Sequence, residues 1–210
     1  MQLVGMLDSP YVRRVAVSLR YFEVPFEQAE LSVFRNMDAF GQINPLLKAP
    51  SLVCDDGEVL MDSTLILAYA ERLPHSEKKL MPEALSNYQK ATRLVGIGLN
   101  ACDKTVQIEY ERKRPHDKQY QPWLDRVQAQ LVAAYDLLEG YAADTSDWLV
   151  NGEFSQADLT ISVAWQFTQF MMPEIIDVNQ YPALSVLSQK AEALPEFMAT
   201  PIAPGWKVQI

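Results

Sequence analysis

The hydrophobic pattern of this chain changes character after the first eighty residues, and that change constrains the fold more than any other feature. Before it, short apolar runs such as QLVGML at residues 2–7 alternate with segments of helical period. After Glu83, every periodic segment has helical spacing. Alternating strands and helices predict an α/β domain, whereas an unbroken helical series predicts a bundle. We therefore expect an α/β domain over residues 1–74, a linker over 75–83 and an all-helical domain over 84–210.

The α/β domain is predicted to have the order β-α-β-α-β-β-α. Its first helix has apolar residues at positions 12, 15, 16, 19 and 22, which form one buried face. Asp56-Gly57, between the apolar runs SLV and VLM, predicts a β-hairpin. Four short strands are too few for a doubly wound dinucleotide-binding fold, and neither GxGxxG nor GxxxxGK[ST] occurs.

The helical domain is predicted to begin with one long helix from about residue 84 towards Arg112. A second helix follows with an apolar stripe between Leu124 and Tyr141. The segment ADLTISVAWQFTQF at 157–170 is apolar on nearly every face, which predicts a helix inside the bundle. A last helix is expected after Pro182.

Composition and charge exclude several classes of protein. The formal net charge is −9 with a pI of about 4.7, which disfavours nucleic-acid binding through phosphate neutralisation. The N-terminal residues lack the pattern of a signal peptide, and no apolar run reaches the roughly 20 residues of a membrane helix. Cys54 and Cys102 are expected to be free thiols of a cytoplasmic protein. His75 and His116 match no hydrolase triad, and we expect no metal.

Three segments together resemble one known family. They are SPYVRRV at 9–15, KAPSLV at 48–53 with MDSTLILAYAERL at 61–73, and FSQADLTIS at 154–162. In this order and spacing they are similar to the cytosolic glutathione transferases, in particular the serine-type, bacterial-like members. The resemblance covers nearly the whole chain. It implies a thioredoxin-like N-terminal domain, an α-helical C-terminal domain, and glutathione as the co-substrate.

Ser9 has a structural and a chemical interpretation. Ser9 followed by Pro10 suits the N-cap and first position of a helix, and capping alone would account for it. The resemblance implies instead that the Ser9 hydroxyl donates to the glutathione thiolate, which the helix N-terminus also stabilises. Tyr11 is the alternative hydroxyl donor. Arg13 and Arg14 are expected to be solvated surface charges, although one of them is an alternative electrostatic support for the site.

The resemblance also implies how glutathione would be held. It implies a cis Ala49–Pro50 bond, with the Ala49 backbone pairing with the extended tripeptide, and Lys48 beside the glycine carboxylate. Asp62 and Ser63 both suit a helix cap. In the resembling family Ser63 would bind the γ-glutamyl carboxylate, and Asp62, one methylene shorter than the usual Glu, would meet the ammonium group.

The segment FSQADLTIS predicts a structural feature. Ser155 and Asp158 have the S-x-x-D spacing of a capping box, with Asp in place of Glu. We expect this pair to stabilise the central helix and to take no direct part in chemistry.

The leading functional hypothesis is a glutathione transferase, in which the thiolate attacks a hydrophobic electrophile. The alternatives are a glutathione-dependent isomerase or peroxidase, and a non-enzymatic binding module on the same fold. The resemblance also implies a homodimer, with the segment 59–67 of one subunit facing the long helix around 90–103 of the other. The candidate residues of the electrophile pocket are Phe34, Asp103, Tyr110 and Trp165, and for Trp165 a core position is the favoured alternative.

Overall fold

The computed structural model describes residues 1–74, 78–145 and 147–204, and the chain divides into two compact units. Unit 1 contains Met1–Leu80 together with the described residues 194–204, and unit 2 contains Met81–Ala193. Of the predicted linker, residues 75–77 lie outside the described part of the chain. The remainder is anchored to unit 1 as far as Leu80, whose backbone N–H donates to the Glu71 carboxylate at 3.1 Å.

The element order of unit 1 confirms the predicted β-α-β-α-β-β-α series. Its elements are β1 (Gln2–Val4), α1 (Pro10–Tyr21), β2 (Glu27–Ala29), α2 (Met37–Ile43), β3 (Ser51–Val53), β4 (Val59–Met61) and α3 (Ser63–Ala70). The apolar stripe predicted for α1 is buried as expected, and α1 packs against α3. This small mixed sheet with its helices confirms the thioredoxin-like architecture.

The four strands are ordered β2-β1-β3-β4. β1 runs parallel to β2 and antiparallel to β3, and β3 is antiparallel to β4. The register pairs Val4 with Ser51, and Ser51 with Met61. The chain therefore leaves β1, enters β3 and leaves β4 at one end of the sheet.

Gly5 allows the chain to pass closely beneath α1 as it leaves β1. Its φ is +142°, a conformation that side-chain-bearing residues rarely adopt. A Cβ atom at this position would lie 2.5 Å from Val12 Cγ2 and 3.4 Å from Ala49 Cβ. A larger residue would push the start of α1 away from the segment before β3.

The regular elements of unit 2 in its described residues are helices, apart from an isolated β-bridge between Val150 and Glu153. Its helices are α4 (Leu85–Arg112), α5 (Gln121–Ala143), α6 (Gln156–Met171) and α7 (Pro182–Glu192), with short 3-10 turns at His116–Lys118 and Val178–Gln180. α6 packs against α4 and α7, and its residues 156–169 are all buried, as the sequence predicts. No helix in the described ranges has both the length and the hydropathy needed to cross a membrane.

A capping box holds the start of α6, as predicted. Asp158 Oδ2 accepts from the Ser155 backbone N–H at 2.9 Å and from the Ser155 hydroxyl at 2.7 Å. Its Oδ1 accepts from the Leu149 N–H at 2.8 Å. The box therefore also fixes the loop that precedes α6, a role that the sequence pattern does not reveal.

The last described segment returns to unit 1, which differs from the expected helical domain over 84–210. It contains the short helix α8 (Pro195–Met198), which packs on α1. Arg13, 1% exposed, donates from Nε to the Thr200 carbonyl at 2.8 Å and lies 5.5 Å from the centre of the Phe197 ring. The expectation that Arg13 is a solvated surface charge is therefore wrong. Its partner lies 187 positions away, beyond the reach of any local pattern.

Candidate functional site

Three loops of unit 1 meet at the end of the sheet where β1 and β4 finish and β3 begins. The first leads from Val4 to Ser9, the second carries residues 48–50 into β3, and the third carries Asp62 and Ser63 into α3. Most of the residues predicted to bind glutathione are therefore brought to one end of one unit. The strand register achieves this although the three loops are far apart in sequence.

Ser9 occupies the N-cap position of α1 without capping it through its side chain. Its backbone is extended, with φ −78° and ψ 124°, and its carbonyl accepts the first helical bond from Arg13 N–H at 2.9 Å. Its half-buried side chain makes no capping hydrogen bond. Capping by the hydroxyl is thus not what the structure shows, and the group remains available for another acceptor. Tyr11, also half-buried, lies within the first turn of α1.

The segment before β3 is shaped by a buried asparagine. The Ala49–Pro50 peptide bond is cis, as the family resemblance implies. The Ser51 hydroxyl donates to the Lys48 carbonyl at 2.7 Å and accepts from Asn44 Nδ2 at 2.9 Å. These two bonds fix the backbone on both sides of Ala49, while the Lys48 side chain is exposed. Sequence reasoning missed Asn44, although an asparagine before a proline is a turn signal.

Asp62 and Ser63 begin α3 in different ways. Asp62 is the N-cap, with φ +71°, and its Oδ1 accepts from Thr64 N–H at 2.9 Å and from Leu65 N–H at 3.4 Å. Its side chain is exposed, whereas Ser63, the first helical residue, is buried. The cap therefore belongs to Asp62, and the Ser63 hydroxyl is not used for capping.

The structure adds Arg14 to this site, contrary to the expectation that it is a solvated charge. Arg14 is only 2% exposed. Its Nη1 donates to Ser63 Oγ at 2.9 Å and to Thr64 Oγ1 at 3.1 Å. A buried guanidinium thus links the buried face of α1 to the start of α3. The pattern RR at an amphipathic helix start gives no indication of it, because both partners lie about fifty positions away.

The candidate electrophile residues have different environments within their own units. Phe34, in the turn after β2, is exposed, and so are Asp103 and Tyr110 on α4. Trp165 is 1% exposed, and its ring packs edge-on against Tyr135 and Tyr181 with ring centres 5.3 and 5.8 Å apart. Trp165 therefore packs the core of unit 2, which is the alternative favoured from the sequence, and it lines no open pocket there.

Neither cysteine lies at the position of Ser9. Cys54 follows β3 at the opposite end of the sheet, and both Cys54 and Cys102 are free and buried. Burial raises the pKa of the Cys54 thiol, an effect that a hydrogen bond with Tyr69 partly opposes. His116 is exposed, and His75 lies outside the described residues. Within the described ranges, no three His, Cys, Asp or Glu side chains form a group that could hold a metal ion.

Comparison with protein families gives two matches that follow the two parts of the chain. Residues 3–78 match the model of the glutathione S-transferase N-terminal domain. Residues 121–186 match the model of the glutathione S-transferase C-terminal domain. The two matched ranges together include more than half of the chain, in the order expected for this architecture.

Individual proteins agree with these matches. The uncharacterized GST-like protein YibF of Escherichia coli is 28% identical over 144 residues, which is 69% of this chain and 71% of that protein. A glutathione S-transferase from Methylobacterium radiotolerans, in complex with glutathione sulfonate, has a TM-score of 0.89 and 26% identity over 100% of this chain and 98% of its own. A glutathione transferase family member from Pseudomonas fluorescens, with bound glutathione, has a TM-score of 0.82 and 27% identity over 95% and 97%.

Proposed function

The chain belongs to the glutathione S-transferase family, and from that membership we propose that it is a glutathione transferase whose thiolate-stabilising residue is Ser9. The observation that carries the proposal is the hydroxyl of Ser9, which stands at the N-terminus of α1 and makes no capping bond. A hydroxyl in that place can donate to an anionic sulfur. The partial positive charge of the helix N-terminus acts on the same atom and in the same direction.

In the proposed reaction, the glutathione thiol first loses its proton to solvent or buffer. The thiolate sulfur then attacks an electrophilic carbon and forms a carbon–sulfur bond, and the leaving group departs with the electron pair of the bond that breaks. Ser9 keeps its own proton and donates a hydrogen bond to the sulfur. This interaction favours the thiolate over the thiol and so lowers the pKa of bound glutathione.

Glutathione itself would be held by the three loops that meet at the end of the sheet. Ser63 would bind the γ-glutamyl carboxylate and Asp62 its ammonium group. The Ala49 backbone beside Pro50 would pair with the cysteinyl residue, and Lys48 would meet the glycine carboxylate. The relatives from Methylobacterium radiotolerans and Pseudomonas fluorescens, crystallised with glutathione sulfonate and glutathione, support this class of ligand.

The electrophile would be a small hydrophobic molecule, for which the exposed Phe34 and Tyr110 are the proposed aromatic contacts and Asp103 a polar one. Tyr11 remains the alternative donor to the sulfur. We place the enzyme in the cytoplasm, where both of its buried free thiols would stay reduced.

We also propose that the enzyme is a homodimer. Each unit exposes an apolar surface that a second copy would cover. In unit 1 this surface includes Leu65 on α3, which is 66% exposed. In unit 2 a groove between α4 and α5 is lined by Leu85, which is 82% exposed, by Tyr88 and by Leu137. Apolar surface of this kind marks interaction sites on proteins.

The experiment that tests the function combines glutathione binding with a panel of substrates. We expect calorimetry to detect glutathione binding, and a halonitroaromatic electrophile to be conjugated to it. Turnover of a peroxide or a maleylacetoacetate-type substrate in place of conjugation would instead identify a peroxidase or an isomerase. A protein that does not bind glutathione would overturn the proposal and favour a binding module.

A further inference from the structure

We propose that Arg14 is a positioning residue for glutathione, and that it acts through Ser63 by directing the Ser63 hydroxyl proton at the γ-glutamyl carboxylate. The inference rests on the proposed function, since it requires glutathione to bind at Ser63. It starts from two hydrogen bonds, from Arg14 Nη1 to Ser63 Oγ at 2.9 Å and to Thr64 Oγ1 at 3.1 Å.

The first step is an account of the protons. A guanidinium group has only donors, whereas a hydroxyl has one proton and two lone pairs. In the Arg14–Ser63 bond the serine oxygen must therefore be the acceptor, and its proton has to point elsewhere. In the part of the chain that the structure describes, Ser63 Oγ donates to no group. A carboxylate placed at the start of α3 would be the acceptor that the proton lacks.

The second step concerns charge. Arginine stays protonated at any pH the protein meets, and Arg14 is almost completely buried. A buried charge is screened less by water and salt than an exposed one. Its positive charge adds to the partial charge of the N-terminus of α3, and both attract an anion at Ser63. Arg14 therefore orients the Ser63 hydroxyl as a donor and also attracts the carboxylate electrostatically. A solvated arginine would do neither.

Arg13 provides a matched control on the same helix. It is as deeply buried as Arg14, but its described partners are the Thr200 carbonyl and the Phe197 ring. If Arg14 had only a structural role, substituting it should therefore have the same effect on ligand binding as substituting Arg13. The two variants to compare are Arg14→Lys and Arg13→Lys, each of which keeps the charge but replaces the planar fork by a single nitrogen.

The test measures the affinity of each protein by calorimetry for two ligands that cannot form a thiolate. One is S-methylglutathione, and the other is the same molecule with a 4-aminobutanoyl group in place of γ-glutamyl, so that it lacks only the α-carboxylate. We expect the unaltered enzyme to prefer S-methylglutathione. Arg14→Lys should bind S-methylglutathione about tenfold more weakly, since hydrogen bonds to charged groups have roughly this effect. Its affinity for the 4-aminobutanoyl ligand should change by less than about twofold.

Arg13→Lys should lower the melting temperature and leave the preference between the two ligands unchanged.

In the conjugation assay, Arg14→Lys should raise KM for glutathione and alter kcat much less, because the interaction with the carboxylate is the same in the ground and transition states. If Arg14→Lys keeps the preference of the unaltered enzyme, the inference is wrong while the proposed function stands. If the unaltered enzyme binds neither ligand, the proposed function fails as well.

A second variant covers the case in which Arg14→Lys does not fold. Thr64 is exposed, and Thr64→Val removes one of the two described acceptors of Arg14 while preserving side-chain shape. We expect this variant to fold and to lose about two- to threefold of the preference for S-methylglutathione, because Arg14 is held less firmly. An unchanged preference in Thr64→Val would overturn the inference.

Discussion

Ser9 and Asp62 both precede a helix of unit 1, yet their side chains have different tasks. The Asp62 carboxylate accepts from two backbone N–H groups of α3, whereas the Ser9 hydroxyl accepts from none of α1. One carboxylate oxygen of Asp62 is therefore engaged in capping α3, whereas the Ser9 hydroxyl takes no part in capping α1. A residue at a helix start whose side chain makes no capping bond can bind a ligand without disturbing the helix. Such a residue is therefore a good candidate for a role in the reaction.

This difference leads to a prediction for Ser9→Ala. Glutathione binding should stay nearly unchanged, while turnover falls about tenfold or more, since a hydrogen bond to a charged group is lost. The pH at which the rate rises should move upward by about one unit, because each pKa unit corresponds to 1.36 kcal/mol. Rate–pH profiles of the conjugation reaction measure both effects. The melting temperature should barely change, since the hydroxyl caps nothing.

Tyr11→Phe is the control for this prediction. If that variant loses turnover and shifts the profile while Ser9→Ala does neither, Tyr11 is the donor. If both variants behave as the unaltered enzyme does, the thiolate is held by the backbone and the helix alone.

At the scale of elements, the sequence predicted what depends on neighbouring residues and missed what depends on distant ones. The capping box of α6 was predictable because Ser155 and Asp158 are three positions apart. The third bond of Asp158, from Leu149 N–H, was not, because it depends on the path of a loop. The burial of Arg13 and Arg14 is unpredictable for the same reason. Their local pattern is that of exposed charges, whereas their described partners lie at the start of α3 and in the segment 197–200.

Asp158→Ala should therefore destabilise the protein more than the loss of an ordinary cap. The carboxylate is fully buried and accepts three hydrogen bonds. Its removal would leave the buried donors of Leu149 and Ser155 unpaired, so we expect the free energy of unfolding to fall by about 2–4 kcal/mol. Urea denaturation followed by circular dichroism measures this change. Asp117→Ala, which removes an exposed carboxylate, should have little effect, and an equal loss in both variants would contradict the assignment.

Asp158 and Glu111 should contribute to stability with opposite dependences on pH. Burial raises the pKa of Asp158, so its contribution to stability is full below the unfolded-state pKa and declines as pH rises through the folded-state pKa. The Tyr120 N–H, with help from Arg114, holds the pKa of Glu111 below its ordinary value. The contribution of Glu111 is therefore present above the unfolded-state pKa and is lost as pH falls through the folded-state pKa.

Denaturation of Asp158→Asn and Glu111→Gln across the acid range tests these signs. The stability gap between Asp158→Asn and the unaltered protein should widen as pH falls from 7 towards about 4. The gap for Glu111→Gln should shrink below about pH 4. If the stability gaps of both variants widened as pH falls, or both shrank, the environments assigned to Asp158 and Glu111 would be wrong.

At the scale of the whole molecule, the exposed apolar surfaces of the two units predict the state of assembly. Sedimentation at micromolar concentration should give a species of twice the 23.8 kDa chain mass. Leu65→Asp should convert it to the monomer, because a charge would be buried at the interface. Val186→Asp, at a position equally exposed (66%) on α7, should leave the dimer intact. A monomer for the unaltered protein would refute the proposal.

The bond between Arg13 and Thr200 also sets an order of events while the chain is being made. Synthesis proceeds from the N-terminus, so the strands and helices of the first seventy residues leave the ribosome long before Thr200 does. During that interval Arg13 lacks the carbonyl acceptor and the Phe197 ring that it has in the finished protein. The α/β unit therefore reaches its final packing only after nearly all of the helical unit has been translated, and a chain that stops short of residue 200 carries an unfinished N-terminal unit.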